Sequence, residues 1–118
     1  MAKSNTKITY DKEEDILNLS RGNPSKASIE VGDFILDIDF DGFVSAIEIL
    51  NASENLGIGS EVLQTVESAR MTIVYKPNYL LIGIMIKFKG AEKEVRIPLT
   101  IDLGHRQVQK QEVSFASI

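Results

Sequence analysis

The residues whose types and spacing best suit chemistry lie near the middle of the chain. The segment Asp37-Ile38-Asp39-Phe40-Asp41-Gly42-Phe43-Val44-Ser45-Ala46-Ile47-Glu48 puts carboxylates at loop positions 1, 3 and 5, glycine at 6 and glutamate at 12. That is the pattern of an EF-hand calcium loop: hard oxygen donors around a sharp glycine turn, closed by a bidentate carboxylate. Asp37, Asp39, Asp41 and Glu48 are therefore the candidate ligands for a divalent metal ion.

The surrounding sequence does not suit an EF-hand, which needs a helix on each side of the loop. Residues 33–48 alternate apolar and polar like a hairpin, and Ile38 and Phe40 suit a strand face better than a solvated loop. No second such loop follows. In a hairpin, Asp37 and Asp39 would share one face, with Glu48 on the return strand. The two readings are then a cation site across the ladder and a solvated acidic sheet face.

Other chemistry is limited by composition. The chain has no cysteine, which removes thiol nucleophiles, disulfides and cysteine-ligated metals. A Ser-His-Asp arrangement would have to use the single histidine, His105, which sits beside Gly104 in a turn and reads as solvent-exposed. Gly57-Ile58-Gly59 ahead of a helical segment lacks the lysine and spacing of a phosphate loop. The net charge of −4 and the scattered arrangement of 13 Lys and Arg disfavour nucleic acid as a partner. Neither a secretory leader nor a membrane span is legible, so the expected location is the cytoplasm.

The elements that must position these residues are mostly strands. A length of 118 residues, 43% hydrophobic and 25% charged, fits one globular domain, 1–118. Short strands are expected over 7–10 and 16–20, then a longer one over 29–40. Asp41-Gly42 is a hairpin-turn signal, because the primed turns need positive φ. A partner strand runs over 43–50. Further strands are expected over 72–75, 80–89 and 94–101, with a polar one over 107–115 at a sheet edge. Pro98 marks the 94–101 strand as an edge or a bulge, since it cannot donate to a ladder. Between the two sets, Ser60 reads as an N-cap. Val62, Leu63, Val66 and Ala69 recur at helical spacing, which predicts an amphipathic helix of about three turns over 60–69. The fold class is α+β and β-dominated: seven or eight antiparallel strands in one or two sheets, with one short helix near 60–69.

The two halves also align by eye, as repeat units 7–52 and 72–116. Residues 8–10 match 73–75, 36–40 match 99–103, Asp39 meets Asp102 and Glu48 meets Glu112. Read as a duplication, this predicts two similar four-stranded units about a pseudo-twofold axis.

The opening Tyr10-Asp11 with the acidic turn to Asp15, the Asp39-x-Asp41-Gly42 turn and the closing run Ala46-Ile47-Glu48-Ile49-Leu50-Asn51-Ala52-Ser53 resemble the domain-of-unknown-function family numbered 2283 over residues 8–53. The chain departs from that pattern at Asn18, where the family often has an aromatic, and at Ala46, where it has glycine. The second half would be a divergent copy or an added unit. The resemblance implies a short prokaryotic protein with the acidic turn as a hairpin feature, and no cofactor or established activity.

With no nucleophile–base set or cofactor motif, the sequence favours a non-enzymatic protein-interaction or self-association module. That covers a homodimer or a protein partner, acting through an acidic face or an edge strand, with an antitoxin-like role as one form. The alternatives are a divalent-metal binder using residues 37–48 and a carboxylate-based hydrolase.

Overall fold

Period-two alternation dominates the chain, and strands follow from it. The computed structural model describes residues 6–117. The elements in chain order are β1 (Lys7–Asp11), β2 (Ile16–Ser20), β3 (Ala27–Val31), β4 (Phe34–Ile38), β5 (Val44–Ile49), α1 (Ala52–Leu56), α2 (Ser60–Leu63), β6 (Val66–Lys76), β7 (Tyr79–Phe88), β8 (Ala91–Leu99) and β9 (Gln109–Ala116). No helix among the described residues is long and apolar enough to cross a membrane.

The strands form one nine-stranded sheet in the order β3-β4-β5-β2-β1-β9-β6-β7-β8. Every neighbouring pair is antiparallel except β1 and β9, which meet in parallel at a single pair, Lys7 and Ala116. The sheet therefore behaves as two lobes joined by a narrow seam. It curls so that their apolar faces meet, and Leu17, Leu36 and Ile47 of the first lobe share one core with Ile73, Ile82 and Ile84 of the second. β7 is central in the second lobe, and Pro98 lies on the edge strand β8.

Nine strands replace the expected seven or eight because 29–40 is not one strand. Gly32 adopts φ 59°, which a glycine reaches without strain, and the chain reverses at Gly32-Asp33 so that Val31 faces Phe34. The helix over 60–69 is also corrected. Its apolar residues fit a helical period, but from Ala69 onward they alternate through Met71, Ile73 and Tyr75. The ladders to β7 and β9 capture that run. What remains is one turn, α2, preceded by α1, where Gly57 at φ 66° ends the first helix.

The duplication does not survive the topology. The first lobe orders the matched strands β4-β5-β2-β1, whereas the second orders them β8-β7-β6-β9. Residues 101–103, set against Ile38, Asp39 and Phe40, form no strand. The likeness is confined to the turn chemistry: Asp39 accepts the N–H of Asp41 and Asp102 that of Gly104, each two residues on. β9 is also not an edge strand, because it pairs with β6 from Ser68 to Tyr75.

Tyr75 joins the lobes across the interior. Its ring is buried, and its hydroxyl accepts the Val44 N–H at 2.9 Å while donating to the Gln111 side chain. Burial pushes the phenol up to about 12, partly offset by the Val44 amide. Tyr75→Phe should leave that amide without a partner and lower stability by about 1–3 kcal/mol, read by urea unfolding with an unchanged m-value.

Candidate functional site

The 37–48 hairpin is shaped by a β-bulge. Asp37 pairs with Ala46 and Ile38 with Val44, so Ser45 is an extra residue on β5. The Ser45 side chain is buried and its hydroxyl donates to the Asp37 carbonyl at 3.2 Å. Beyond Ile38 the chain leaves the ladder, and Gly42 at φ 85° reverses it.

This geometry separates the four candidate ligands. Asp37 and Glu48 lie on the outer sheet face, beside Asn18 and Ser20 around a shallow depression of ≈160 Å³. Asp37 already accepts the Ser28 hydroxyl at 2.6 Å. Asp41 is exposed in the turn. Asp39 does not share the Asp37 face: β4 ends before it, and its carboxylate turns inward, leaving the residue 6% exposed. Two of the four come together and two do not. Among the described residues, no three His, Cys, Asp or Glu side chains gather as a metal ion would need.

Asp39 is occupied instead by the protein's own donors. Its Oδ1 accepts the backbone N–H of Asp41 at 2.9 Å and of Phe43 at 3.0 Å. Its Oδ2 accepts the Asn23 amide at 3.1 Å and the Arg21 guanidinium at 3.4 Å. Arg21 reaches on to the Val44 carbonyl. Burial alone would raise the carboxyl, but the Phe43 and Asp41 amides, Asn23 and Arg21 outweigh it and hold Asp39 below the ordinary carboxylate range.

A second carboxylate works the same way. Asp15, left-handed at φ 55°, accepts the Tyr10 hydroxyl at 2.6 Å, the Ser53 hydroxyl at 2.7 Å and the Ser53 N–H at 3.0 Å. It thereby ties the β1–β2 turn to the first turn of α1. Burial opposes ionisation here too, but these bonds prevail and lower its pKa. Asp15 and Asp39 are thus both held in the charged form by the protein's own donors.

His105 is a correction. It is buried rather than solvent-exposed, packed on Phe43 and Tyr75 with ring centroids at 5.1 and 4.7 Å. Its Nε2 lies 2.8 Å from the Gly42 carbonyl, which can only accept, so Nε2 carries the proton. Nδ1 is then left to accept from the Gln109 side chain at 3.4 Å. The loop between β8 and β9 is thus clamped to the acidic turn. Two of the large exposed apolar side chains belong to these joined segments: Phe40, 70% exposed, and Val108, 65% exposed.

Arg21, Asn23 and His105 are the partners that a reading of the chain alone misses. The one available signal was the Asp39-x-Asp41-Gly42 spacing, which favours a side chain bonded to amides two and four residues on.

Two comparisons with known proteins reach the first lobe. A family model described as "Protein of unknown function (DUF2283)" matches residues 7–53, which span β1 to the first residues of α1. An uncharacterised protein of Methanocaldococcus jannaschii is 45% identical over 98 residues, covering 82% of this chain and 69% of the relative. The chain belongs to the DUF2283 family. No solved structure matches it. In this DUF2283 member the acidic turn is a folded hairpin braced from within.

Two outcomes follow from the Asp39 geometry. Its folded pKa is depressed, so its contribution to stability is complete above the unfolded value of about 3.9 and is lost as pH falls through the folded pKa. Asp39→Asn should cost about 2–3 kcal/mol at neutral pH and flatten the loss of stability below about pH 4, measured by urea unfolding across pH. Millimolar calcium, magnesium or manganese should leave the melting temperature unchanged; a metal-dependent rise abolished in Glu48→Gln would contradict this.

Proposed function

We propose that the protein is a non-enzymatic interaction module whose contact element is the braced turn at residues 39–43. The observation that carries this reading is Phe40: a large aromatic, 70% exposed, held on a turn whose preceding carboxylate is bound by four internal donors. Interface hot spots are aromatic anchors, and ordering such a side chain in advance reduces the entropy cost of association. Val108 precedes Gln109 in the segment that His105 clamps to this turn, which supports a contact surface made from both lobes. The exposed Asp41 and the net charge of −4 favour a partner with a basic rim around an apolar pocket. A small basic toxin, with this chain as its antitoxin, is one partner of that kind.

The test compares proteins retained from lysate by the tagged wild type and by Phe40→Ser. A partner held in stoichiometric amount by the wild type and lost with Phe40→Ser supports the reading, provided both proteins melt at similar temperatures. Equal retention by both proteins, or no retained partner, would sink it.

A further inference from the structure

Among the described residues the sheet has two free edges, β3 and β8, and they differ. β8 carries Pro98 and the charged residues Glu92, Lys93, Glu94 and Arg96, which discourage another strand from adding. β3 reads Ala27-Ser28-Ile29-Glu30-Val31, with neither proline nor lysine. Ile29 and Val31 are only half-buried, packed on the core but open on their outer side.

We propose that β3 is a self-association strand, pairing antiparallel with β3 of a second copy about a twofold axis at Ile29. Three properties of the strand select that occupant. The first is the hydrogen-bonding pattern. Val31 and Phe34 flank the two-residue turn Gly32-Asp33, so they exchange backbone hydrogen bonds, and Ile29 and Ala27 do likewise with β4. The N–H and C=O groups of Ser28 and Glu30 therefore point away from the sheet. With the axis at Ile29, Ser28 faces the partner's Glu30 and Glu30 faces the partner's Ser28. All four outward groups on each strand are then bonded.

The second property is side-chain matching. Ile29 meets the partner's Ile29 and Val31 meets the partner's Ala27, which extends the half-open core margin across the junction. Ser28 and Glu30 meet on the outer face with no like charges directly opposed. The third is register specificity. Moving the axis to Glu30 sets two glutamates face to face, and a one-residue slip sends apolar residues to the polar face. The pairing is short, which places the dimer among small, reversible interfaces. It goes beyond the Phe40 reading and involves none of the turn residues.

Sedimentation velocity on the full chain, over a concentration series up to millimolar, tests the pairing. The wild type should show a reversible monomer–dimer equilibrium. Glu30→Pro removes one outward N–H per copy and should weaken the dimer at least about tenfold, while Glu30→Thr, which keeps the amide, should preserve it. Amide exchange on the wild type gives a readout that does not depend on the folding of a variant. The Ser28 and Glu30 amides should become protected as concentration rises, while exposed loop amides do not. A wild type monomeric at all concentrations, or a dimer in which those two amides exchange as fast as in the monomer, would overturn the proposal. Phe40→Ser should leave the dimer intact, which separates this outcome from the partner test above.

Discussion

The hydrogen bond from the Val44 amide to the Tyr75 hydroxyl is the contact on which the arrangement of the two lobes turns. The extra residue at Ser45 breaks the β4–β5 register and leaves the Val44 N–H aimed into the interior, away from any strand. A buried amide in that position needs a partner, and among the described residues the group that reaches it comes from the opposite lobe. Tyr75 therefore sets the spacing of the lobes at this end. The edge of its ring against Phe43, with centroids 5.2 Å apart, fixes their rotation. At the far side the lobes share one backbone pair, so the side-chain bridge does work that a longer ladder would otherwise do.

The same bridge organises the acidic turn. Phe43 is held by Tyr75 and His105 on its apolar side, and its amide is held by Asp39 on the polar side. Arg21 and Asn23 close the node from the loop after β2. A turn fixed from three directions has little freedom left, and Phe40 projects from it into solvent. The calcium-like spacing of carboxylates is then explained without an ion. Asp39 serves amides and Asp37 serves Ser28, while Asp37 and Glu48 on the outer face and Asp41 in the turn keep the surface character that the sequence suggests.

Much of the fold was legible because a period of two is a strong local signal. The hairpin at Asp41-Gly42 and the edge placement of β8 both follow from residue type and spacing. The misreadings have physical causes. Val62, Leu63, Val66 and Ala69 fit a helical period, but Ala69 also opens the alternation through Met71, Ile73 and Tyr75, and the ladders with β7 and β9 decide in favour of the strand. Gly32 breaks an apparently continuous strand, because a Gly-Asp pair between apolar runs is also a two-residue turn. His105 looked exposed because its neighbours Gly104 and Arg106 are turn-like and polar. Its burial depends on Phe43 and Tyr75, which are far away in sequence. The outward face of Asp39 was assigned by extending strand alternation one residue past the end of β4. Long-range partners of this kind leave no trace in local pattern.

The proline in β8 also has a bearing on what large assemblies the protein can form. A sheet with two receptive edges can add copies without limit, and that is the geometry of a fibril. Here one edge carries Pro98 and alternating charge, while the other is five residues long and matches only itself. Growth by strand addition would end after a single step, because every copy would have spent its one receptive edge on its neighbour. For a chain this rich in β-branched apolar strands, that asymmetry separates a closed pair from an open polymer.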